Sequence, residues 1–279
     1  MIRLFALIQR LLPQHAISRV VGYVAAAEFP PLKWLLIRLF LLLYKVNMAE
    51  ARHSDPADYA SFNALFTREL RAGCRPLPSD SNAIISPVDG TVSQCGAIES
   101  GQLLQAKGRH YRVSDLLAGD PVAARQFSAG QFATIYLAPH NYHRIHVPLA
   151  ARLLQMDFVP GRLFSVSPST TLAVDNLFAR NERVVFHLQS PQGAVALVMV
   201  GAMNVGSIET LHQGVIAPGG NKPRSWSYDP AMEFERNQQL GWFNLGSTVI
   251  LLFADGVARL EPTLASGQTL QVGEAIARL

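Results

Sequence analysis

Three of the eight histidines lie within seven residues, in the segment PHNYHRIHVP, as His140, His143 and His146. Imidazole changes its charge near neutral pH, so such a cluster indicates acid–base chemistry. It also ligates zinc, but an extended backbone sends residues three apart to opposite faces, and no nearby Cys or Glu completes a ligand set. We therefore predict no metal site. Histidines in a surface loop are the simplest alternative.

A candidate nucleophile and a candidate carboxylate lie on either side of the cluster. Ser247 follows Gly246 in FNLGST, and a glycine leaves its carbonyl sterically open to attack by the next serine. Asp89 in SPVDG could orient a histidine that deprotonates this serine, as in an Asp–His–Ser triad. Residue types alone do not choose the members of the triad, and an Asp-Gly between strands is commonly only a turn. The Gly-x-Ser-x-Gly elbow is missing around Ser247, which counts against an α/β-hydrolase.

The elements that must position these side chains change in character along the chain. Residues 84–279 alternate short β-prone runs with turn residues and show no βαβ rhythm, which predicts one compact, mostly antiparallel β domain. Residues 49–83 are predicted to be a helical connector, with a helix start at Ser54-Asp55-Pro56 and aromatic residues one turn apart at positions 62 and 66. The predicted fold class is therefore α+β.

The first 48 residues have a different composition from the remainder. They contain six basic residues and one acidic residue, a net charge of +5, whereas the whole chain has +4. This uneven distribution argues against a nucleic-acid partner. The apolar stretches around Arg10 and Arg38 are too interrupted for one transmembrane span. We predict helices at an anionic membrane surface; a helical hairpin packed on its own domain is the alternative, and the two are compatible.

Seven sequence motifs follow one another along most of the chain: FNALFTREL, SPVDG, YHRIHVP, VPGRLFSV, NLFARNERV, VGAMNVGSIET and FNLGSTVILLF. Together they resemble the bacterial phosphatidylserine decarboxylase proenzymes. The resemblance implies self-cleavage between Gly246 and Ser247, which would give a β chain of residues 1–246 and an α chain of residues 247–279. It also implies that Ser247 becomes a covalent pyruvoyl group.

The same resemblance implies roles for individual side chains. Asp89 and His146 would serve the self-cleavage of Ser247, and His143 would serve the decarboxylation step. The pyruvoyl group would form a Schiff base with phosphatidylserine, releasing carbon dioxide and phosphatidylethanolamine. Expected partners are phosphatidylserine, an anionic membrane surface and a second processed protomer. The expected location is peripheral, on the cytoplasmic face of the cell membrane.

Two other classes of protein fit the residues without the resemblance. One is a membrane-associated serine hydrolase that uses the same Asp–His–Ser residues for turnover. The other is a non-catalytic, membrane-bound β module. Self-cleavage distinguishes the decarboxylase proenzyme from both of these alternatives.

Overall fold

The computed structural model describes residues 9–203, 207–217, 220, 222–244 and 247–279. Two helices come first, α1 (Gln14–Ala26) and α2 (Pro30–Leu43), the second beginning with proline at a position where its missing N–H costs nothing. The connector, residues 49–83, is mostly irregular. Two 3₁₀ turns (Met48–Glu50 and Pro56–Asp58) and one short helix, α3 (Phe62–Phe66), lie in or beside it.

Within the described residues, seventeen strands and four short helices follow. The strands are β1 (Ala83–Ile85), β2 (Gly90–Ala97), β3 (Gln102–Ala106), β4 (Arg109–Arg112), β5 (Gln131–Leu137), β6 (Arg144–His146), β7 (Ala151–Val159), β8 (Arg183–Ser190), β9 (Gly193–Val200), β10 (Ile208–Thr210), β11 (Gly214–Ala217), β12 (Arg224–Phe234), β13 (Gln239–Phe243), β14 (Ser247–Phe253), β15 (Arg259–Leu260), β16 (Thr269–Leu270) and β17 (Ala275–Arg278). The helices are α4 (Val113–Leu116), α5 (Pro121–Arg125), α6 (Pro168–Thr171) and α7 (Leu177–Arg180).

The strands form four sheets. The largest has eight strands in the order β12-β7-β8-β9-β14-β5-β2-β16; a second has the order β11-β10-β13-β6. Two smaller sheets have the orders β1-β17-β15 and β3-β4. All pairings given for these strands are antiparallel. The predicted mostly antiparallel β body, preceded by helices, is confirmed.

Strand β14 lies in the middle of the core. All seven of its residues are buried, between β5 on one side and β9 on the other. Such double-sided burial explains why STVILLF is a continuous apolar run after its first two residues rather than an alternation. The serine at the start of this strand is therefore held by a rigid part of the fold.

The N-terminal helices pack one side against the body. Ile37 and Phe40 of α2 lie in an apolar cluster with Tyr59, Leu65 and Phe66 of the connector. Helix α1 is anchored by an amide side chain, since Gln14 Oε1 accepts the backbone N–H of Leu163 at 2.8 Å. The alternative of a packed helical segment is therefore correct for one face.

The other side of α2 carries exposed apolar side chains: Leu35, Leu39, Leu42 and Leu43, exposed by 63%, 48%, 82% and 66%. None of the helices in the described ranges is both long and apolar enough to cross a bilayer.

Candidate active site

Ser247 begins β14 and is completely buried. It pairs with Leu137 at the end of β5. In the described part of the chain its Oγ has no hydrogen-bond partner, which is unusual for a buried hydroxyl and is a feature to be explained by function. The predicted cleavage partner Gly246, together with Leu245, lies outside the described residues.

His143 contacts the segment that directly follows β5, at the end where β5 pairs with Ser247 of β14. Its Nε2 is 3.2 Å from the carbonyl oxygen of Ala138, the residue after Leu137, and its own carbonyl accepts the N–H of Phe243 at 3.1 Å. Because a carbonyl only accepts hydrogen bonds, the Ala138 contact requires a proton on Nε2. The Pro139 carbonyl is a second acceptor near the ring. Nδ1 makes no hydrogen bond of standard geometry within the described residues.

The surroundings of His143 keep its imidazole neutral. The ring is fully buried and stacks on Phe66, with ring centroids 4.1 Å apart and planes inclined by 27°. Burial, followed by the positive charge of Arg68, lowers the pKa of His143 to about 3. In this state His143 holds no extra proton at neutral pH.

His146 has polar contacts instead. Its Nδ1 is 2.7 Å from the carbonyl oxygen of Asn237, so Nδ1 must donate and Nε2 must be the basic nitrogen. The hydroxyl of Tyr142, 2.9 Å away, donates to Nε2. Burial lowers the pKa of His146, although the Asn237 carbonyl and the negative charge of Asp89 oppose this effect. The geometry thus fixes the tautomer that a general base requires.

Asp89 lies in the loop between β1 and β2, two strands that belong to different sheets. Its buried carboxylate accepts two hydrogen bonds from Arg75, at 3.2 and 2.7 Å, and one from the backbone N–H of Val272, at 2.8 Å. The glycine after it is required for close packing rather than for a tight hairpin, because a Cβ on Gly90 would lie 2.5 Å from the Tyr136 carbonyl oxygen.

The structure brings the four predicted residues to one end of the β body in two groups. The N–H of His146 donates to the carbonyl of Pro87 at 2.9 Å, which places β6 against the Asp89 loop. The hydrogen bonds described for the Asp89 carboxylate go to Arg75 and Val272, so its effect on His146 is electrostatic. The side chain of His143 contacts Ala138, the residue after the Ser247 partner Leu137. Its backbone carbonyl contacts Phe243, four residues before Ser247.

The connector contributes residues that sequence reasoning missed. Arg68, only 5% exposed, donates to the carbonyl of His140 at 3.0 Å and so holds the histidine segment. Asn63 donates to Asn244 at 3.0 Å, three residues before Ser247. His140 itself is exposed. No sequence pattern within the connector, residues 49–83, indicates these contacts, because their partners lie far away along the chain.

An apolar cavity of about 390 Å³ opens beside this end of the body. It reaches Leu137, the residue paired with Ser247, and Phe66, the residue stacked on His143. Its lining comes from the helices, the connector and the loops around β5: Val21, Phe40, Tyr44, Phe62, Phe66, Tyr136, Leu137, Pro139, Ser165, Val166, Ser167, Ala202 and Met203. None of these described lining residues carries a charge. Among the residues that the structure describes, no cluster of His, Cys, Asp or Glu is arranged to bind a metal ion.

Fold and site together define a class: an antiparallel β protein with a helical N-terminus, in which a buried serine lies near a histidine pair and an apolar cavity. Comparison with protein families identifies this class. The family described as phosphatidylserine decarboxylase matches residues 62–278, and a second family, described as PSD, matches residues 4–45. The chain belongs to the phosphatidylserine decarboxylase family, as its motifs predicted.

Individual relatives are similar over nearly their whole length. The chain is 46% identical to a phosphatidylserine decarboxylase proenzyme of Marinobacter nauticus, over 99% of this chain and 98% of that protein. It is 48% identical to one of Polaromonas sp., with the same coverage. It is 50% identical to one of Pseudoalteromonas translucida, over 90% and 88%.

Proposed function

We propose that this chain is a proenzyme that cleaves itself before Ser247 and then decarboxylates phosphatidylserine to phosphatidylethanolamine. The observation that carries the proposal is the Ser247 hydroxyl, which is fully buried, lacks a partner among the described residues and begins a rigid core strand. Family membership and the full-length similarity to proteins named proenzymes support the same conclusion.

The first reaction is a cut in the protein's own backbone. Once the Tyr142 hydroxyl releases His146 Nε2, this nitrogen accepts the Ser247 proton, and the negative charge of Asp89 stabilises the resulting imidazolium. The alkoxide attacks the Gly246 carbonyl, and the peptide bond becomes an ester. Elimination of that ester separates the chains and leaves dehydroalanine at position 247, which hydrolyses to pyruvoyl with release of ammonia.

The site fits a pyruvoyl group made from Ser247. Strand β14 fixes the backbone of residue 247 by pairing with β5, and the group needs no binding pocket because it stays covalently attached. A pyruvoyl group supplies a ketone for the substrate amine and an adjacent carbonyl that accepts electrons as carbon dioxide leaves.

The cavity accounts for the second reaction. Its described lining has no cationic side chain to pair with the substrate carboxylate. An unpaired carboxylate is costly in apolar surroundings, whereas carbon dioxide is neutral, so the cavity favours loss of the carboxylate. The aromatic and aliphatic lining suits the lipid portion of the same substrate.

His143 is proposed to return a proton to the substrate carbon. It must first gain that proton, which burial and the Arg68 charge oppose in the structure. A negatively charged phosphodiester beside it would favour the imidazolium, since an opposite charge stabilises the charged form. Substrate binding would therefore prepare His143 for its role as general acid.

The N-terminal helices are proposed to dock the enzyme peripherally on an anionic membrane surface, on the cytoplasmic face of the cell membrane. The exposed leucines of α2 can enter the lipid, while neighbouring basic residues contact the headgroups. Each basic residue near an anionic leaflet contributes roughly 1 kcal/mol. The family resemblance adds a homodimer of processed protomers, which light scattering of the purified enzyme would test.

Borohydride trapping tests the proposed chemistry directly. Reduction in the presence of phosphatidylserine should attach the lipid covalently to the 33-residue chain of residues 247–279, and phosphatidylcholine, which lacks a primary amine, is the control. An active preparation whose adduct lies on the large chain would overturn the assignment. A protein that hydrolyses esters without forming an adduct would be the alternative serine hydrolase.

A further inference from the structure

The carboxylate of Asp89 is held almost entirely by one side chain. Arg75 Nε donates to Oδ1 at 3.2 Å and Arg75 Nη2 donates to Oδ2 at 2.7 Å, which is the two-point geometry of a guanidinium–carboxylate pair. The Arg75 side chain is only 7% exposed and that of Asp89 only 9%. Nothing in the mechanism above uses Arg75.

We propose that Arg75 is a positioning residue for self-cleavage, which holds the Asp89 carboxylate oriented towards His146. This inference rests on the proposed function, because it assigns a role within the same self-cleavage reaction. Arg75 itself acts through Asp89 and does not contact the serine or the imidazole in the contacts described.

Counting acceptor positions shows that the Arg75 clamp leaves room for this role. An ionised carboxylate accepts about four hydrogen bonds, two on each oxygen. Oδ1 accepts Arg75 Nε and the N–H of Val272, while Oδ2 accepts only Arg75 Nη2. One acceptor position on Oδ2 is not used by these bonds. Asp89 can therefore respond to a charged imidazole without first releasing Arg75.

Arg75 is in turn fixed from the other side. Glu50 accepts from Nη2 at 2.9 Å, and the carbonyl of Cys74 accepts from Nη1 at 3.2 Å. Two carboxylates thus share one guanidinium, so the group keeps a net negative charge that favours an imidazolium at His146. Arg68 and Tyr142 share the surroundings of Asp89, and the positive charge of Arg144 opposes the imidazolium at His146.

The same arrangement connects the two chains that self-cleavage would produce. Val272, whose N–H binds Asp89 at 2.8 Å, lies in the segment 247–279 that becomes the small chain. Arg75 and Asp89 both lie in the large chain. The clamp thus fixes the carboxylate relative to the segment that begins at Ser247.

Two substitutions at Arg75 separate its charge from its geometry. Arg75→Lys keeps the charge but loses the two-point contact, and Arg75→Gln loses both. Precursor made by cell-free translation would be pulse-labelled and chased at a series of pH values, with cleavage followed on gels. Arg278→Lys is the matched control, because Arg278 is an exposed arginine that also pairs with a carboxylate, that of Glu261, at 2.7 Å.

We expect Arg75→Lys to slow cleavage roughly ten- to a hundredfold, the rate equivalent of one lost charge-assisted hydrogen bond. Arg75→Gln should slow it further and shift the acid limb of the pH–rate profile to higher pH, because the carboxylate loses its counter-charge. Glu50→Gln should have a smaller effect of the same kind in rate. Arg278→Lys should cleave like the wild type.

Thermal unfolding of each precursor carrying Ser247→Ala, which blocks cutting, shows whether the variant folds. Arg75 variants that fold but cleave with the wild-type rate and pH profile would overturn the inference. So would a rate loss that merely follows the unfolded fraction, with no change in the acid limb for Arg75→Gln. A wild-type chain that never cleaves would instead overturn the proposed function.

Discussion

His143 and His146 lie three residues apart in one segment, yet their surroundings differ in almost every respect. The His143 region, which consists of His143, Phe66 and Ala138, is apolar, stacked and fully buried. The His146 region, which consists of His146, Tyr142 and Asn237, satisfies both imidazole nitrogens with hydrogen bonds. A separation of three residues in extended backbone turns the two rings to different faces.

The difference shows how one short segment can supply two kinds of proton chemistry. His146 has a fixed tautomer with a basic nitrogen, and a negative charge nearby stabilises its protonated form. His143 is held neutral by burial and by Arg68 until its surroundings change. The surroundings of His146 suit the proposed self-cleavage, which occurs once and before substrate binds. The surroundings of His143 suit the proposed decarboxylation, which begins when the anionic lipid binds.

The largest effect is expected at the residue that both regions serve. Ser247→Ala should abolish cleavage and decarboxylation together, because no hydroxyl remains to attack or to become pyruvoyl. Gel electrophoresis and a lipid decarboxylation assay would measure the two losses. The control is Thr134→Val, which removes a different buried hydroxyl, in the neighbouring strand β5, and should retain both activities. Decarboxylation by the Ser247→Ala protein would refute the cofactor assignment.

Substituting each histidine in turn tests the division of labour most sharply. His146→Ala should slow self-cleavage by about 10⁴- to 10⁶-fold, the usual range for losing a triad member. His143→Ala should still cleave but lose about 10²- to 10⁴-fold in decarboxylation, the contribution of a general acid. Time courses of cleavage and initial rates of carbon dioxide release would distinguish them. The reverse pattern would contradict this division of labour.

The low pKa of His143 predicts an acid-sensitive fold. The unfolded chain binds a proton near pH 6.5 and the folded chain only near pH 3, so the unfolded state gains protons as the pH falls between these values. Stability is therefore complete above about pH 6.5 and should fall by about 2 kcal/mol between pH 6.5 and 5. Denaturant titrations of the uncut Ser247→Ala protein would measure this loss.

A matched variant assigns that acid sensitivity to His143. His143→Gln in the same uncut protein should lose about 2 kcal/mol less between pH 6.5 and 5, whatever its stability at pH 7. Substitution of the exposed His53 is the control and should leave the slope unchanged. An unaltered slope in His143→Gln would show that the imidazole is not held neutral.

The smallest effect is expected from the exposed leucines of α2, which form the proposed membrane-docking surface. Leu42→Gln on α2 should weaken binding to phosphatidylserine-containing vesicles by on the order of 1 kcal/mol, about fivefold, because one leucine no longer enters the lipid. Self-cleavage should be unchanged. Leu211→Gln, at an exposed leucine outside the helices, is the control for vesicle sedimentation. Equal vesicle binding by the wild type, Leu42→Gln and Leu211→Gln would contradict the proposed docking surface.

The sequence predicted the β body because its signals are local. The run STVILLF in β14 and the turn residues between short strands determine strands without reference to distant contacts. The helical N-terminus was likewise predictable, but its attachment through Gln14 to Leu163 depends on a residue 149 positions away. Long-range partners of this kind leave no pattern in a single sequence.

The candidate site was predicted through its motifs, and the contacts around it were not. The motif SPVDG indicates Asp89, but its partner Arg75 comes from a segment that the sequence predicts only to be a helical connector. Gly90 resembled a turn glycine, whereas the structure requires it for close approach to Tyr136 in another strand. These requirements arise only when the connector and β5 pack against the same loop.

The mass of the C-terminal fragment tests the central claim most directly. Intact mass spectrometry of the active protein should show a chain of residues 247–279 that begins with pyruvoyl in place of serine. Such a fragment should also resist Edman degradation, because it has no free amino terminus. A fully active preparation that contains only the uncut 279-residue chain, or a fragment that begins with an unmodified serine, would contradict the account.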